Sequence, residues 1–286
     1  MAMLVSINGE LVDPAAATVS IFDRGFLFGD AIYEVTRTVH RRPFHLDLHL
    51  DRLERSGDAI ELDVRPLRAP LVAEIDRLIA ALPDERDLVV RIMVTRGQSP
   101  GLDLFAAEGP PLWILWVKTL DGFRPELYER GLRILSVSPD EIVARVSPGV
   151  KSNNRQANVM VHRHARQEGY DDGLFVDPSG VVTEGPTWNL FVVKSGQVIT
   201  PPLERGVLEG ITRGLVLRLC ARLDVPAHVR EITLDEARAA DELFITSTTR
   251  GVMPVRELDQ VELPGAPGPV TRRLRQALVE SMENGG

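Results

Sequence analysis

Of the 33 basic residues in this chain only three are lysine: Lys118, Lys151 and Lys194. Arginine keeps its charge in proteins, whereas a buried lysine can shed its proton and act as a nucleophile or Schiff-base former. Lys194 falls in Lys194-Ser195-Gly196, a hairpin turn between strands at 190–193 and 197–200, where solvent accounts for it. Lys118 ends the apolar strand at 113–117 and is expected to face solvent. Lys151 follows the punctuation Ser147-Pro148-Gly149-Val150 and precedes a polar run that opens a helix. It reads either as a solvated loop residue, the commoner case, or as a reactive amine.

Four other features carry chemistry in kind. Glu184 closes the run Val181-Val182-Thr183 and is followed by the strand-stopping Gly185-Pro186. A carboxylate there is a solvated strand end or the partner of a protonated ring nitrogen. Gly210 leads into a helix start at Ile211-Thr212-Arg213, whose open N–H groups suit an anion. Thr246-Ser247-Thr248-Thr249 places hydroxyls after a strand at 243–245, as caps or as phosphate ligands. Arg52 lies beside Leu50 and Leu53 on a helix, solvated or clamping a phosphate. Competing site chemistries are weaker. His45 and His49 share a helical face without a third metal ligand at suitable spacing, so no metal is expected. Ser147 and Lys151 are not at Ser-x-x-Lys spacing, no phosphate-loop or Gly-x-Gly-x-x-Gly pattern occurs, and Cys220 reads as core.

The elements that must position these residues are mixed. An Asn8-Gly9 turn joins two short strands, residues 31–39 alternate with Tyr33, Val35 and Arg37 on one face, and helical spacing runs through 46–60 and 71–79. Strands are expected at 88–95, 112–117, 132–138, on both sides of the turn at 177–180, and at 243–247. Further helices are expected at 158–168, 211–223 and 270–282. This is an α+β chain of two domains, 1–118 small and 127–286 larger, with a linker at 119–126. The net charge of −8 argues against nucleic acid or an anionic membrane as partner. A single cysteine, no long apolar run and no signal-like pattern in residues 1–9 lead to the expectation of a cytoplasmic protein.

Taken together, Gly29-Asp30-Ala31-Ile32-Tyr33-Glu34, His49-x-x-Arg52-Leu53, Lys151, Thr183-Glu184-Gly185 with Asn189-Leu190-Phe191, and Gly210-Ile211-Thr212-Arg213 resemble the class IV aminotransferases, pyridoxal-phosphate enzymes of fold type IV. The resemblance runs from Arg24 to Val255. It implies pyridoxal 5′-phosphate as cofactor, with Lys151 forming the internal aldimine and then shuttling the proton, and Glu184 pairing with the pyridine nitrogen. It also implies a phosphate held by Arg52, the backbone N–H groups of Ile211 and Thr212, and Thr248. Tyr33, Val35, Arg37, Arg91 and Thr249 fall on the substrate side, and a homodimer is implied. Val94-Thr95-Arg96-Gly97 through Pro100 and Ser247-Thr248-Thr249 resemble the D-amino-acid branch. That branch grips the substrate carboxylate with an Arg-x-His pair, where this chain has Gly101-Leu102-Asp103. Arg37 or Arg91 is the candidate replacement. Segments at 205–208 and 251–254 resemble (R)-amine transaminases. The expected reaction is amino transfer from a D-amino acid, with (R)-primary amines as further donors, to a 2-oxo acid through pyridoxamine phosphate. Aminodeoxychorismate lyase, suggested by Asn154-Arg155, and a branched-chain L-amino acid aminotransferase are the alternatives, with a silent, ligand-binding descendant the reading outside enzymes.

Overall fold

Asn8 and Gly9 both take positive φ, 50° and 86°, the backbone of a tight hairpin turn. They join β1 (Met3–Ile7) to β2 (Glu10–Val12), with Val5 opposite Val12. The computed structural model describes residues 3–99, 101, 103–105, 107–138 and 149–284. Pro100, Leu102, Ser147 and Pro148, all used in the sequence reading, lie outside the described residues.

The chain divides into two compact units, residues 1–121 with 150–154 and 285–286, and residues 122–149 with 155–284. In the first, α1 (Arg24–Leu27) precedes β3 (Ala31–Val39), whose β-branched residues suit a pleated surface. Then come β4 (Arg42–Pro43), α2 (Leu46–Asp58), α3 (Arg68–Ala81), β5 (Leu88–Thr95) and β6 (Leu112–Thr119). The sheet order is β2-β1-β6-β5-β3-β4. β3 and β5 pair antiparallel with Tyr33 opposite Met93 and Val35 opposite Arg91. Alternation therefore sends Ile32, Glu34 and Thr36 to one face and Tyr33, Val35 and Arg37 to the other. The first face packs beneath Leu50 and Leu53 of α2 and Leu71, Ile75 and Leu78 of α3. Near its start, β3 also takes up the lysine segment. Tyr33 N–H donates to the Lys151 carbonyl and Asn153 N–H to that of Ala31, both at 2.9 Å. Residues 150–154 thus group with a unit that lies far upstream in sequence.

The second unit opens with α4 (Pro125–Arg130), β7 (Leu132–Val137), α5 (Gln156–Gln167), β8 (Asp172–Phe175), β9 (Asn189–Lys194) and β10 (Gln197–Thr200). It continues through α6 (Ile211–Arg222), β11 (Ala227–Val229), α7 (Leu234–Arg238), β12 (Glu242–Ser247), β13 (Gly251–Leu258), β14 (Val261–Glu262) and α8 (Pro269–Glu283). Its sheet runs β11-β10-β9-β12-β13-β7-β8, with β14 paired to β13. Phe191 and Phe244 stack across β9 and β12 at 4.8 Å between centroids. The mixed α+β class is as expected. One strand is not. After the turn at 177–180 the chain forms isolated bridges, Val176 with Val182 and Val181 with Thr233, in place of a ladder. The reason is divided pairing: Val182 N–H goes to Ile232 and Thr183 N–H to Phe175.

The helix that carries His49 and Arg52 is anchored by Leu53, which is 1% exposed. Leu53→Ala should cost about 2–5 kcal/mol of stability through lost burial and the cavity left behind. Chemical denaturation of the variant measures it.

Candidate active site

In the first unit a single phenol ring gathers the chemistry. Tyr33 is 5% exposed. The Lys151 Nζ lies 4.4 Å and the Arg91 guanidinium carbon 4.1 Å from its ring centroid. The Lys151–Tyr33 contact follows from the backbone pairing of the lysine segment with β3, and that of Arg91 from its place diagonal to Tyr33 on β5. Val35 sits partly buried directly opposite Arg91. Arg37, on the same face, is tied down: its Nη2 meets Asp87 at 3.4 Å and its Nε donates to the Thr38 carbonyl. Where the D-branch pair would follow Pro100, the described residues Gly101 and Asp103 carry no positive side chain. The Asp103 carbonyl accepts from Arg24 and Ser99.

Arg52 is not a surface residue. Its Nε and Nη2 donate to the two carboxylate oxygens of Glu34 at 2.7 and 2.8 Å, and His49 Nδ1 meets the same carboxylate at 2.8 Å. All three side chains are buried. Burial alone would raise the Glu34 pKa, but the charge and fork of Arg52, with help from His49, hold the carboxyl well below its usual range. Burial pulls the His49 imidazole below its ordinary value against the opposing pull of Glu34. His49 is therefore neutral at pH 7 and donates from Nδ1, which accounts for a residue weighed above as a metal ligand. Sequence reasoning gave Glu34 no role. The signal was present in the alternation of β3, which puts an acid between Ile32 and Thr36 beneath a helix bearing His49 and Arg52 three residues apart.

The second unit assembles Glu184 and the helix start. Glu184 Oε2 accepts from Asn189 Nδ2 at 3.0 Å and from the Leu208 N–H at 3.1 Å. The same amide donates to the Leu208 carbonyl at 2.9 Å. Gly210 is the N-cap of α6, with no side chain capping the helix. A Cβ on Gly210 would lie 1.9 Å from Asn189 Oδ1, so only glycine fits between that amide and the helix. Thr212 is buried at the first turn, while Thr248 and Thr249 lie half-buried in the turn joining β12 to β13. An uncapped helix start beside a carboxylate held by neutral donors suits a ligand with a phosphate and a protonated ring nitrogen. Cys220 is fully buried, and burial pushes its thiol up to about 11, which leaves it no thiolate character.

Residues 31–258 match the family model for amino-transferase class IV. The chain belongs to this family. It is 33% identical over 281 residues to a D-alanine aminotransferase of Bacillus licheniformis, covering 98% of this chain and 97% of that protein. It is likewise 33% identical over 277 residues to a putative branched-chain-amino-acid aminotransferase of Methanocaldococcus jannaschii, covering 96% and 94%. Among solved structures, the branched-chain aminotransferase of Thermoproteus uzoniensis with norvaline aligns at a TM-score of 0.89 and 28% identity, over 99% of this chain and 95% of that one. The class IV aminotransferase fold type IV is thus established, and with it pyridoxal 5′-phosphate as cofactor.

The buried triad sets a pH signature. Glu34, with its folded pKa lowered, contributes in full above the unfolded value of ~4.3 and loses that contribution as the pH falls below it. His49 adds a second slope. The unfolded chain takes up a proton near pH 6.5 that the folded chain refuses, so stability drops as the pH falls through that value. His49→Gln should remove the slope that sets in as the pH falls through about 6.5. Glu34→Gln should cost ~3 kcal/mol at pH 7, because it leaves Arg52 buried without its counter-charge. Urea titrations across pH read both.

Proposed function

We propose that this class IV aminotransferase moves an amino group from a D-amino acid to a 2-oxo acid, with (R)-primary amines as further donors. The observation that carries the reading is the Tyr33 ring with the Lys151 amine and the Arg91 guanidinium both upon it. A reacting amine and a carboxylate-binding fork on one ring are within reach of the two ends of one α-amino acid. Arg91, on the Tyr33 ring, is then assigned the grip that Gly101-Leu102-Asp103 lacks. The D-alanine aminotransferase relatives, similar over 98% of the chain, and the stretches 94–97 and 247–249 support a D-amino donor.

When bound, pyridoxal 5′-phosphate supplies an aldehyde for primary amines and an electron-poor ring that draws in the pair left when the Cα proton departs. Lys151 Nζ is assigned the covalent link to that aldehyde and, once displaced, the role of base for the substrate Cα proton. Glu184 is assigned the ring nitrogen, whose proton its carboxylate holds in place. Arg52, the N–H groups of Ile211 and Thr212 and the Thr248 hydroxyl are assigned the phosphate. Tyr33, Val35 and Thr249 line the substrate side.

A second reading, transfer from branched-chain L-amino acids, draws on the Methanocaldococcus and Thermoproteus relatives and on Arg91, since enzymes of that branch carry an arginine on the same strand. The lyase alternative rests on the Asn154-Arg155 resemblance alone; Arg155 itself donates to the Pro186 carbonyl.

A homodimer is proposed from an apolar strip on the first unit. Phe22, Phe26, Leu104 and Phe105 are each at least half exposed. Arg24 fixes the strip's two segments to one another through the Asp103 and Leu104 carbonyls. Such a patch calls for a covering surface, here a second copy. Phe26→Asp should shift the protein toward monomer in light-scattering chromatography, and an unchanged dimer would remove this strip from the interface.

Arg91→Ala should raise the KM for D-alanine on the order of 10- to 100-fold, the loss of a charged hydrogen-bonded pair, with little change for (R)-1-phenylethylamine, which has no carboxylate. Assays of D-alanine, D-glutamate and L-leucine against 2-oxoglutarate test donor choice. Turnover of L-leucine alone would overturn the D-amino reading in favour of the second.

A further inference from the structure

The segment Lys151-Ser152-Asn153-Asn154-Arg155 ends on a residue that helix chemistry disfavours. Arg155 is the N-cap of α5 and makes no capping hydrogen bond. That position favours Ser, Thr, Asp or Asn, and a cation there opposes the helix dipole. Its guanidinium instead reaches the Glu184-Gly185-Pro186 turn, where Nη2 donates to the Pro186 carbonyl. Asn158, three residues on along the same helix face and buried, donates from Nδ2 to the same oxygen at 3.0 Å. Two donors can occupy both lone pairs of that carbonyl. The turn is also braced by Trp188. A Cβ on Gly185 would lie 2.0 Å from the Trp188 ring, so the indole packs directly on the backbone next to Glu184. Trp188 Nε1 is held by the buried Asp172 at 2.8 Å.

We propose that Arg155 is a positioning residue for Glu184. By fixing the Pro186 carbonyl to the first turn of α5, it sets the direction in which the Glu184 backbone presents its carboxylate to the cofactor's ring nitrogen. The inference rests on the assignment of Glu184 given above. The donors to the Glu184 carboxylate, Asn189 Nδ2 and the Leu208 N–H, do not include Arg155, so the role of Arg155 lies in the backbone from which the acid projects. Proton sharing with the ring nitrogen is sensitive to the angle at which the acid meets it.

The test uses holoenzyme of wild type, Arg155→Leu, Arg155→Lys and Asn158→Ala. The visible absorption band of the bound cofactor is titrated with pH, and cofactor affinity is read from fluorescence quenching. Arg155→Leu should move the titration midpoint and weaken cofactor binding on the order of tenfold, the loss of one charged hydrogen bond. Arg155→Lys, which restores a charged donor, should recover most of both. Asn158→Ala should show a smaller change in the same direction. A folded Arg155→Leu enzyme with the wild-type midpoint and affinity overturns the proposal, and so does weakened binding with an unmoved midpoint, the mark of a purely structural contact. If Arg155→Leu does not fold, Arg155→Gln is titrated instead and judged by the same criteria. A wild-type protein without a cofactor band would overturn the assignment of Lys151 and Glu184, a result distinct from failure of the Arg155 role.

Discussion

Two backbone hydrogen bonds between the lysine segment and β3 fix where the Lys151 side chain starts. Tyr33 N–H to the Lys151 carbonyl and Asn153 N–H to the Ala31 carbonyl make residues 151–153 a short extra rung on the sheet. A side chain on a loop wanders, whereas one on a sheet rung inherits the sheet's rigidity. Once that rung forms, the pleat of β3 puts the Tyr33 ring beneath the Lys151 amine, and the register of β5 brings Arg91 to the same ring. The glycine and asparagine around it serve the same contact. Gly29 has a φ of +69°, and a Cβ there would lie 2.0 Å from Asn154 Oδ1. The turn before β3 and the segment after Lys151 therefore fit together only with glycine at 29.

Opposite faces of β3 hold their basic residues differently. On the Tyr33 face the side chains of Arg91 and Lys151 both meet the aromatic ring. Beneath α2, the positive charge of Arg52 is matched inside the protein by a fully buried Glu34, with a neutral His49 as the second donor. A lone buried guanidinium would be far too costly, and the carboxylate removes that cost. Glu34 occupies one edge of the planar fork and so fixes the plane of the whole guanidinium. That rigidity suits the phosphate contact proposed for Arg52.

Much of this was legible before any coordinates. The period-2 pattern of 31–39 divides Tyr33, Val35 and Arg37 from the face that packs under α2 and α3, and the scarcity of lysine singles out position 151. Glu184 and the Gly210 helix start were found as separate features, and only the structure shows Asn189 bridging them. No sequence rule places residues 150–154 on a sheet formed more than a hundred residues earlier, because an isolated rung has no periodicity to announce it. The bridges around 181–184 carry the sequence pattern of a strand for a related cause. An apolar alternating run looks the same whether its N–H groups serve one neighbour or several. Arg155 stood out in sequence as a departure from pattern, but its carbonyl partner lies 31 residues away and leaves no local trace.

The abundance of arginine has a structural explanation that sharpens the significance of Lys151. Again and again a guanidinium ties off carbonyls that a loop or helix end would leave open. Arg41 reaches the Ile79, Leu82 and Asp84 carbonyls around the end of α3, and Arg96 those of Ile60 and Glu61 just beyond α2. Arg24 holds Asp103 and Leu104, Arg213 holds Pro201, and Arg155 holds Pro186. Helix C-termini expose four such acceptors apiece, and loops expose more. A planar fork with five fixed donors can serve two or three acceptors at once, whereas an ammonium on a flexible stem is a point charge. Arginine is thus the better residue wherever the chain needs a polar clamp. A lysine retained on the β3 rung, among residues where a clamp would favour arginine, fits the role proposed for Lys151, because unlike arginine it can give up a proton and offer its nitrogen lone pair to an electrophile.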